Sequence, residues 1–288
     1  MFSFVHSSDN NYYKNHMIKQ AIIPLAGLGT RMLPLTSVMA KELIPVNGRP
    51  NLEYILDECL EAGVTEFIFI ISKNKLSIKK YFFNDAFYKK IIKKKKDKRI
   101  IEEYKKIKKY RKMIKFVYQN KPRGTGDAVL KCKKFIKSKF FLMLLPDDLI
   151  IRKNCSKEMI KLHKTTKGSI IATKRVKRQT VSRWGILSFK NKKKTYFQIK
   201  DVIEKPSIKK APSNFAIIGR YILTTKIFAE IKKLKPGQGG EIHITDAIKN
   251  LIYKDNKFYG NIFKGKYLDC GTLSGYMESC AQIYKGKK

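Results

Sequence analysis

The stretch Gln20-Ala-Ile-Ile-Pro-Leu-Ala-Gly-Leu-Gly-Thr-Arg31 decides how this chain is read. Ala21 to Leu25 are apolar without alternation, the pattern of a strand buried on both faces of a parallel sheet. Ala26, Gly27, Leu28, Gly29 and Thr30 follow. Glycine accepts positive φ and lets a ligand approach the backbone amides closely. Free N–H groups in such a turn form a concave site for phosphate oxygens. Arg31 adds a fixed cation with forked donors. The segment therefore reads as a nucleotide-phosphate loop; a tight strand-to-helix turn with a surface arginine is the plainer alternative. It is not the dinucleotide fingerprint, which places a third glycine where Arg31 and Met32 stand, nor a P-loop, which closes on Gly-Lys-Ser/Thr. Pro34 limits any helix begun at Thr30.

The chain around this loop has 288 residues, 43% of them hydrophobic, enough for one large domain or two small ones with a sizeable core. It contains no run of 18 apolar residues, so no spanning helix is expected. Residues 1–17 are polar and aromatic and are expected to form a flexible extension rather than a secretory signal. The five cysteines lie far apart, which suits reduced thiols in a cytoplasm and neither a disulfide framework nor a zinc site. The net charge of +40 raises nucleic acid as a partner. The excess is mostly Lys, however, and travels with abundant Ile, Asn, Tyr and Phe, residues with AT-rich codons. Genome composition explains that pattern without a specific nucleic-acid partner. A positive field would still speed the encounter with anionic nucleotides and sugar phosphates.

Lys41, in Lys-Glu-Leu-Ile-Pro, is a second cation near the loop, or a solvated lysine. Pro50 opens a helix with an apolar face from Leu52 to Leu60, closed by Gly63. Phe67 to Ile71 form another buried strand, and strand, loop, helix, strand begins an α/β open sheet. Residues 88–113 read as an amphipathic helix pair whose lysines face solvent. A strand over 115–119 ends at Gln119, which can present a nucleobase with an amide that donates and accepts, or simply end the strand. Gly124 and Gly126 make a second irregular loop before a helix.

The apolar strand Phe140 to Leu145 ends in Pro146-Asp147-Asp148. Carboxylates at such an end face the ligand crevice of an open sheet, and suit Mg²⁺ held together with substrate phosphates; a helix-capping Asp is the alternative. Neighbouring side chains of extended backbone point opposite ways, so at most one of the two acids should meet a metal. From Ser169 onward short strands follow one another, with Gly185 permitting close approach and Glu204-Lys205 pairing acid with base at a strand end. That pair suits sugar hydroxyls and a phosphate, or is a surface ion pair before a turn. Glu241 is expected to open a helix, Phe258 to Phe263 a strand, and residues 266–272 an irregular turn. Asp269 in that turn is a second candidate metal ligand, or the cap of the last helix.

Together, Ala-Gly-Leu-Gly-Thr-Arg-Met-Leu-Pro (26–34), Lys-Glu-Leu-Ile-Pro (41–45), Gly-Thr-Gly-Asp-Ala-Val (124–129), Leu-Pro-Asp-Asp (145–148), Glu-Lys-Pro (204–206), Ser-Asn-Phe-Ala-Ile-Ile-Gly-Arg-Tyr (213–221), Gly-Glu-Ile-His-Ile-Thr-Asp-Ala-Ile (240–248) and Asp-Cys-Gly (269–271) resemble the bacterial UTP–glucose-1-phosphate uridylyltransferases, in that family's order. The resemblance implies a Rossmann-like α/β nucleotidyltransferase fold: a mixed, mostly parallel sheet flanked by helices, with a small sugar-side β subregion. It implies one domain over 18–288, with a nucleotide part to about 150, a sugar part to about 270 and a C-terminal helix over about 271–284. Ala26, Gly27, Gly29, Thr30, Gln119 and Gly124 are then expected at the nucleotide, with Arg31 and Lys41 on its triphosphate. Gly185, Glu204 and Gly219 are expected at glucose, Lys205 at its phosphate, and Asp147 and Asp269 at Mg²⁺. Arg31, Lys41, Asp147 and Lys205 would carry catalysis on UTP and glucose 1-phosphate, in a homodimer or homotetramer.

Ala40 replaces a usual proline, Trp184 a usual tyrosine and Asp127 a usual histidine. Rival readings are a glucose-1-phosphate thymidylyltransferase, a non-catalytic regulatory paralogue and, from another class, a basic RNA-binding protein.

Overall fold

The structure, a computed structural model, describes residues 18–285; the N-terminal extension lies outside the described residues. Its strands in chain order are β1 (Gln20–Pro24), β2 (Pro45–Val46), β3 (Arg49–Pro50), β4 (Glu66–Ile71), β5 (Ile114–Tyr118), β6 (Phe140–Leu144), β7 (Asp148–Ile151), β8 (Ser169–Arg175), β9 (Gly185–Lys190), β10 (Tyr196–Glu204), β11 (Phe215–Thr224), β12 (Phe258–Ile262) and β13 (Lys266–Asp269). The helices are α1 (Asn51–Glu61), α2 (Leu76–Phe83), α3 (Asp85–Lys95), α4 (Lys98–Arg111), α5 (Thr125–Lys131), α6 (Cys155–Thr166), α7 (Ile227–Lys233), α8 (Ile244–Tyr253) and α9 (Leu273–Lys285).

β1 lies inside a nine-stranded sheet of order β5-β4-β1-β6-β11-β8-β12-β10-β9. Its apolar run lacks alternation because both faces are covered. Ala21 and Ile23 pack into one core with Phe67, Phe69, Leu142 and Leu144. Ile22 packs into the other with Ile68, Ile70, Phe141 and Met143. Pairing is parallel through β5, β4, β1 and β6. The parallel character does not extend across the whole sheet: β11 runs antiparallel to β6 and β8, and β10 antiparallel to β12 and β9. The short-strand region after Ser169 thus continues the same sheet.

β11 joins the two halves and is buried along its whole length. Its register against β8 shifts between Ile217 and Tyr221, a bulge that turns Gly219 toward the loop after β6. Leu145 N–H donates to the Gly219 carbonyl at 2.8 Å. The next side chain, Arg220, is fully buried. It donates three hydrogen bonds to Glu58 of α1 at 2.9 to 3.2 Å and further ones to the Leu145 and Gly219 carbonyls. Glu58 also accepts from the Ser156 hydroxyl of α6 at 2.6 Å. One ion pair thereby ties β11, α1, α6 and the end of β6 together.

Three segments depart from the expectations. Lys266 to Asp269 are not an irregular turn: they form β13, antiparallel to β7 with Asp269 opposite Asp148. The helix expected from Glu241 begins at Ile244, because residues 238–240 form a separate 3₁₀ turn. In the basic region only Ile107 and Tyr110 of α4 are buried, and Ile114 begins β5.

Breaking a buried ion pair leaves one charge without a partner, at a cost of about 3–5 kcal/mol. Arg220→Ala should lose stability on that order in urea unfolding followed by circular dichroism. A loss below about 1 kcal/mol would remove the pair as the tie between these elements.

Candidate active site

Two adjoining clefts open at the carboxyl ends of β1, β5 and β6. The smaller, of about 240 Å³, is lined by Ala26, Gly27, Lys41, Gln119, Gly124 and Asp147 among others. The larger, of about 840 Å³, is lined among others by Thr30, Arg31, Asp147, Gly185, Glu204, Lys205, Gly219 and Asp269. Asp147 borders both. Residues scattered from 26 to 269 are thus collected at one edge of the sheet. Thr30, expected at the nucleotide, borders the larger cleft, and Gly29 lines neither. Gly29 instead makes the turn: its φ is 73°, and its carbonyl accepts from the Thr36 hydroxyl at 2.9 Å. Gly27 is the open position, where an added Cβ would meet nothing within 4 Å.

Asp147 is pinned through its backbone. Its carbonyl accepts from Cys270 N–H at 2.8 Å, and the preceding Pro146 carbonyl accepts from the buried Asn51 amide at 2.8 Å. One carboxylate oxygen meets Lys41 Nζ at 2.8 Å and Arg31 at 3.3 Å. Burial raises the Asp147 carboxyl, but these two cations outweigh it and hold the acid below its ordinary range. Burial likewise lowers the Lys41 ammonium, and Asp147 with Glu42 outweighs it, so Lys41 titrates higher than usual. Both groups are therefore ionised at neutral pH.

Asp148 points the other way, as extended neighbours do. It accepts from Gly219 N–H at 3.1 Å and from the Tyr267 hydroxyl at 2.7 Å. Burial, and then the charge of Asp147, push its carboxyl up to about 6. Asp148 thus holds the β11 bulge at the wall of the larger cleft, and Asp147 alone of the pair borders both clefts.

Asp269 reaches the site through the β7–β13 ribbon. Its carboxylate accepts from Gly271 N–H at 2.8 Å and pairs with Arg183 at 3.4 Å. It does not cap the last helix; Thr272 does, accepting from Gly275 N–H at 3.2 Å. A Cβ placed on Gly271 would sit 2.7 Å from an Asp147 oxygen and 3.2 Å from an Asp269 oxygen. The two carboxylates therefore share one small cradle that a side chain would fill. Among the described residues no group of three or more His, Cys, Asp or Glu gathers for a metal ion. Two carboxylates in an open cradle fit Mg²⁺, which keeps water and phosphate oxygens in its shell, and do not fit a closed cage.

On the sugar side Gly185 lies opposite Glu204 across β9 and β10. The Glu204 carboxylate accepts from the Thr245 hydroxyl at 3.0 Å. Lys205 has a φ of 43°, unusual for a side-chain-bearing residue, and donates its N–H to the Trp184 carbonyl at 3.0 Å. Arg183, Thr245 and Tyr267 also line this cleft and were not singled out in the sequence. Arg183 meets Asp269, and Tyr267 meets Asp148, only after folding, and Thr245 lies in a motif without a chemical signal of its own.

The loop before α5 is fixed by the segment that leads into α8. Gly126 N–H donates to the Ile242 carbonyl at 2.7 Å, and Ile242 N–H to the Arg123 carbonyl at 2.8 Å. Gly124 has a φ of 93°, and a Cβ there would meet the same carbonyl at 2.7 Å. Gln119 is buried beside it and lines the smaller cleft.

The nucleotidyl transferase family model matches residues 20–286. The chain belongs to that family. A UTP–glucose-1-phosphate uridylyltransferase of Streptococcus pyogenes is 36% identical over 272 residues, covering 91% of this chain and 89% of that protein. A crystal structure of a UDP-glucose pyrophosphorylase complexed with UDP-glucose is 34% identical, covers 94% of this chain and 100% of its own, and superposes with a TM-score of 0.83. The UTP-bound enzyme from Acinetobacter baumannii is 30% identical with a TM-score of 0.84, covering 93% of each chain.

The open space at Gly27 separates two effects in this nucleotidyl transferase. Gly27→Ala should change stability by no more than about 0.5 kcal/mol, as ordinary exposed substitutions do. The same variant should weaken nucleotide binding by calorimetry, because the methyl occupies the surface a ligand approaches. Undiminished binding would place the nucleotide elsewhere.

Proposed function

We propose that the chain is a UTP–glucose-1-phosphate uridylyltransferase, making UDP-glucose and pyrophosphate. The observation that carries the reading is Asp147 bordering both clefts, with Lys41 and Arg31 on one of its oxygens. The smaller cleft would take the uridine, against Ala26, Gly27, Gln119 and Gly124. The larger would take glucose against Gly185, Glu204 and Gly219, with its phosphate at Lys205. The reacting phosphates then meet at the shared wall. The named relatives favour this activity over transfer of a thymidylyl group, and comparing turnover with UTP and dTTP tests that preference.

A sugar phosphate is already an anionic nucleophile, so no side chain is needed to activate it. One of its oxygens attacks the α-phosphorus of UTP while the bond to the β-phosphate oxygen breaks, and pyrophosphate leaves with that electron pair. The obstacle is alignment of two like-charged groups. Arg31 and Lys41 supply fixed positive charge to the triphosphate and the leaving group, and Lys205 orients the attacking phosphate. Asp147 and Asp269 would hold Mg²⁺, which when bound would neutralise phosphate charge. Before substrate arrives, Lys41 and Arg31 balance Asp147; phosphates then replace it as their partner.

Residence in a cytoplasm belongs to the same proposal. It rests on cysteines that are all free, and on the finding that no described helix is long and apolar enough to cross a membrane. Assembly into a dimer or tetramer is likewise carried by the resemblance, and sedimentation velocity would read it.

Two measurements test the assignment. Asp147→Ala should lower pyrophosphate release by roughly 100-fold or more, the scale of losing a central electrostatic group, and chelation of divalent ions should stop the wild-type reaction. Near-normal release by the variant would refute the role given to Asp147. Lys205→Met should raise KM for glucose 1-phosphate well beyond any change for UTP; equal effects on both substrates would remove Lys205 from the sugar phosphate.

A further inference from the structure

Gln119 shows how the smaller cleft reads a base. Its side-chain nitrogen donates to the Asp127 carboxylate at 2.7 Å and to the Gly124 carbonyl at 3.2 Å. Both partners are acceptors only, so the NH₂ must face them, and its two hydrogens are used. The orientation of the amide is therefore dictated by chemistry. What remains for a ligand is the oxygen Oε1, an acceptor. The sequence alone left Gln119 able to donate and accept; in the folded chain the donating half is occupied.

Asp127 stands in the first turn of α5, and its other oxygen lies 3.7 Å from Lys131. The Asp127 side chain is mostly buried, and Gln119 is 5% exposed. Neither is a surface pair free to rearrange. Uracil carries one hydrogen-bond donor on its Watson–Crick edge, N3–H. An amide confined to acceptance can meet that edge at N3–H and nowhere else. Cytosine presents a lone pair at N3 and carries its donor at the 4-amino group instead, so in the pose that suits uracil the same fixed oxygen would oppose N3.

We propose that Asp127 is a positioning residue that locks the Gln119 amide with its oxygen toward the base, and so selects a pyrimidine protonated at N3 over cytosine. The inference rests on the uridine placement proposed above and adds the residue that enforces it. Asp127 does not touch the nucleotide; it acts by forbidding the flipped amide, whose NH₂ would suit cytosine N3.

The test is base discrimination, which a merely structural role would not move. Asp127→Asn keeps the shape but offers either an oxygen or an NH₂ to Gln119, and Asp127→Ala removes the closer acceptor, leaving only the 3.2 Å contact to the Gly124 carbonyl. UMP and CMP binding would be measured by calorimetry, and kcat/KM for UTP, CTP and dTTP with glucose 1-phosphate, on folded protein verified by thermal melting. In both variants the preference for UTP over CTP should fall by roughly 10-fold, about what one well-made base contact contributes. The ratio of UTP to dTTP should hold, since both bases carry N3–H. Equal losses for UMP and CMP would overturn the proposal and leave Asp127 as a support of α5. Gln119→Ala separates the two layers. If it narrows discrimination while the Asp127 variants do not, the lock alone fails. If it changes nothing, the placement of the base against Gln119 fails, and the lock with it.

Discussion

Lys41 and Asp147, 106 residues apart in the chain, meet at 2.8 Å with Arg31 on the same carboxylate oxygen. This contact draws the loop after β1, the turn before β2 and the end of β6 to a single point. Its charges are stable, since Asp147 is held low and Lys41 high by each other's presence. A buried carboxylate with two cations leaves an excess of one positive charge. Under the function proposed above, an incoming polyphosphate would complete that excess, and the resting ion pairs keep the cations ordered.

The neighbouring acid obeys the opposite logic. Two adjacent buried carboxylates cannot both be stabilised as anions by one pair of cations. Asp147 takes the cations, while Asp148 receives neutral donors, the Gly219 N–H and the Tyr267 hydroxyl. Burial and the charge of Asp147 raise its carboxyl to about 6, although those donors pull it down. Its work is geometric. It holds the β11 bulge against the Leu-Pro-Asp-Asp turn, and Arg220 buried on Glu58 clamps the same bulge from the other side. The sugar-side wall is therefore as firmly set as the nucleotide loop, although it comes from strands of the other half of the sheet.

Close backbone packing serves the same end around the smaller cleft. The loop carrying Gly124 and Gly126 is joined to Ile242 by paired amides, with no room for a side chain at either glycine. Gln119 is then fixed between that loop and Asp127, so the walls of both clefts sit on rigid supports.

The sequence by itself determined the chain's class and singled out most of the residues named here at the two clefts. The unalternating Ala21 to Leu25 run required a strand covered on both faces, and it has two cores. Gly29 needed positive φ and has it, and Pro34 stopped the short helix after Arg31. The opposed directions of Asp147 and Asp148 followed from extended backbone. Local pattern carries all of these because each depends on neighbours within a few residues. Tertiary structure alone decided what depends on distant partners. The strand Lys266–Asp269 looked irregular because its partner β7 lies more than a hundred residues earlier, and that pairing brings Asp269 beside Asp147. The β11 bulge, Arg183 on Asp269 and the hydrogen bond from Gln119 to Asp127 were likewise silent in sequence. A side chain's chemistry is written in its residue type, but which hydrogen bonds it has already used is fixed only when remote segments pack together.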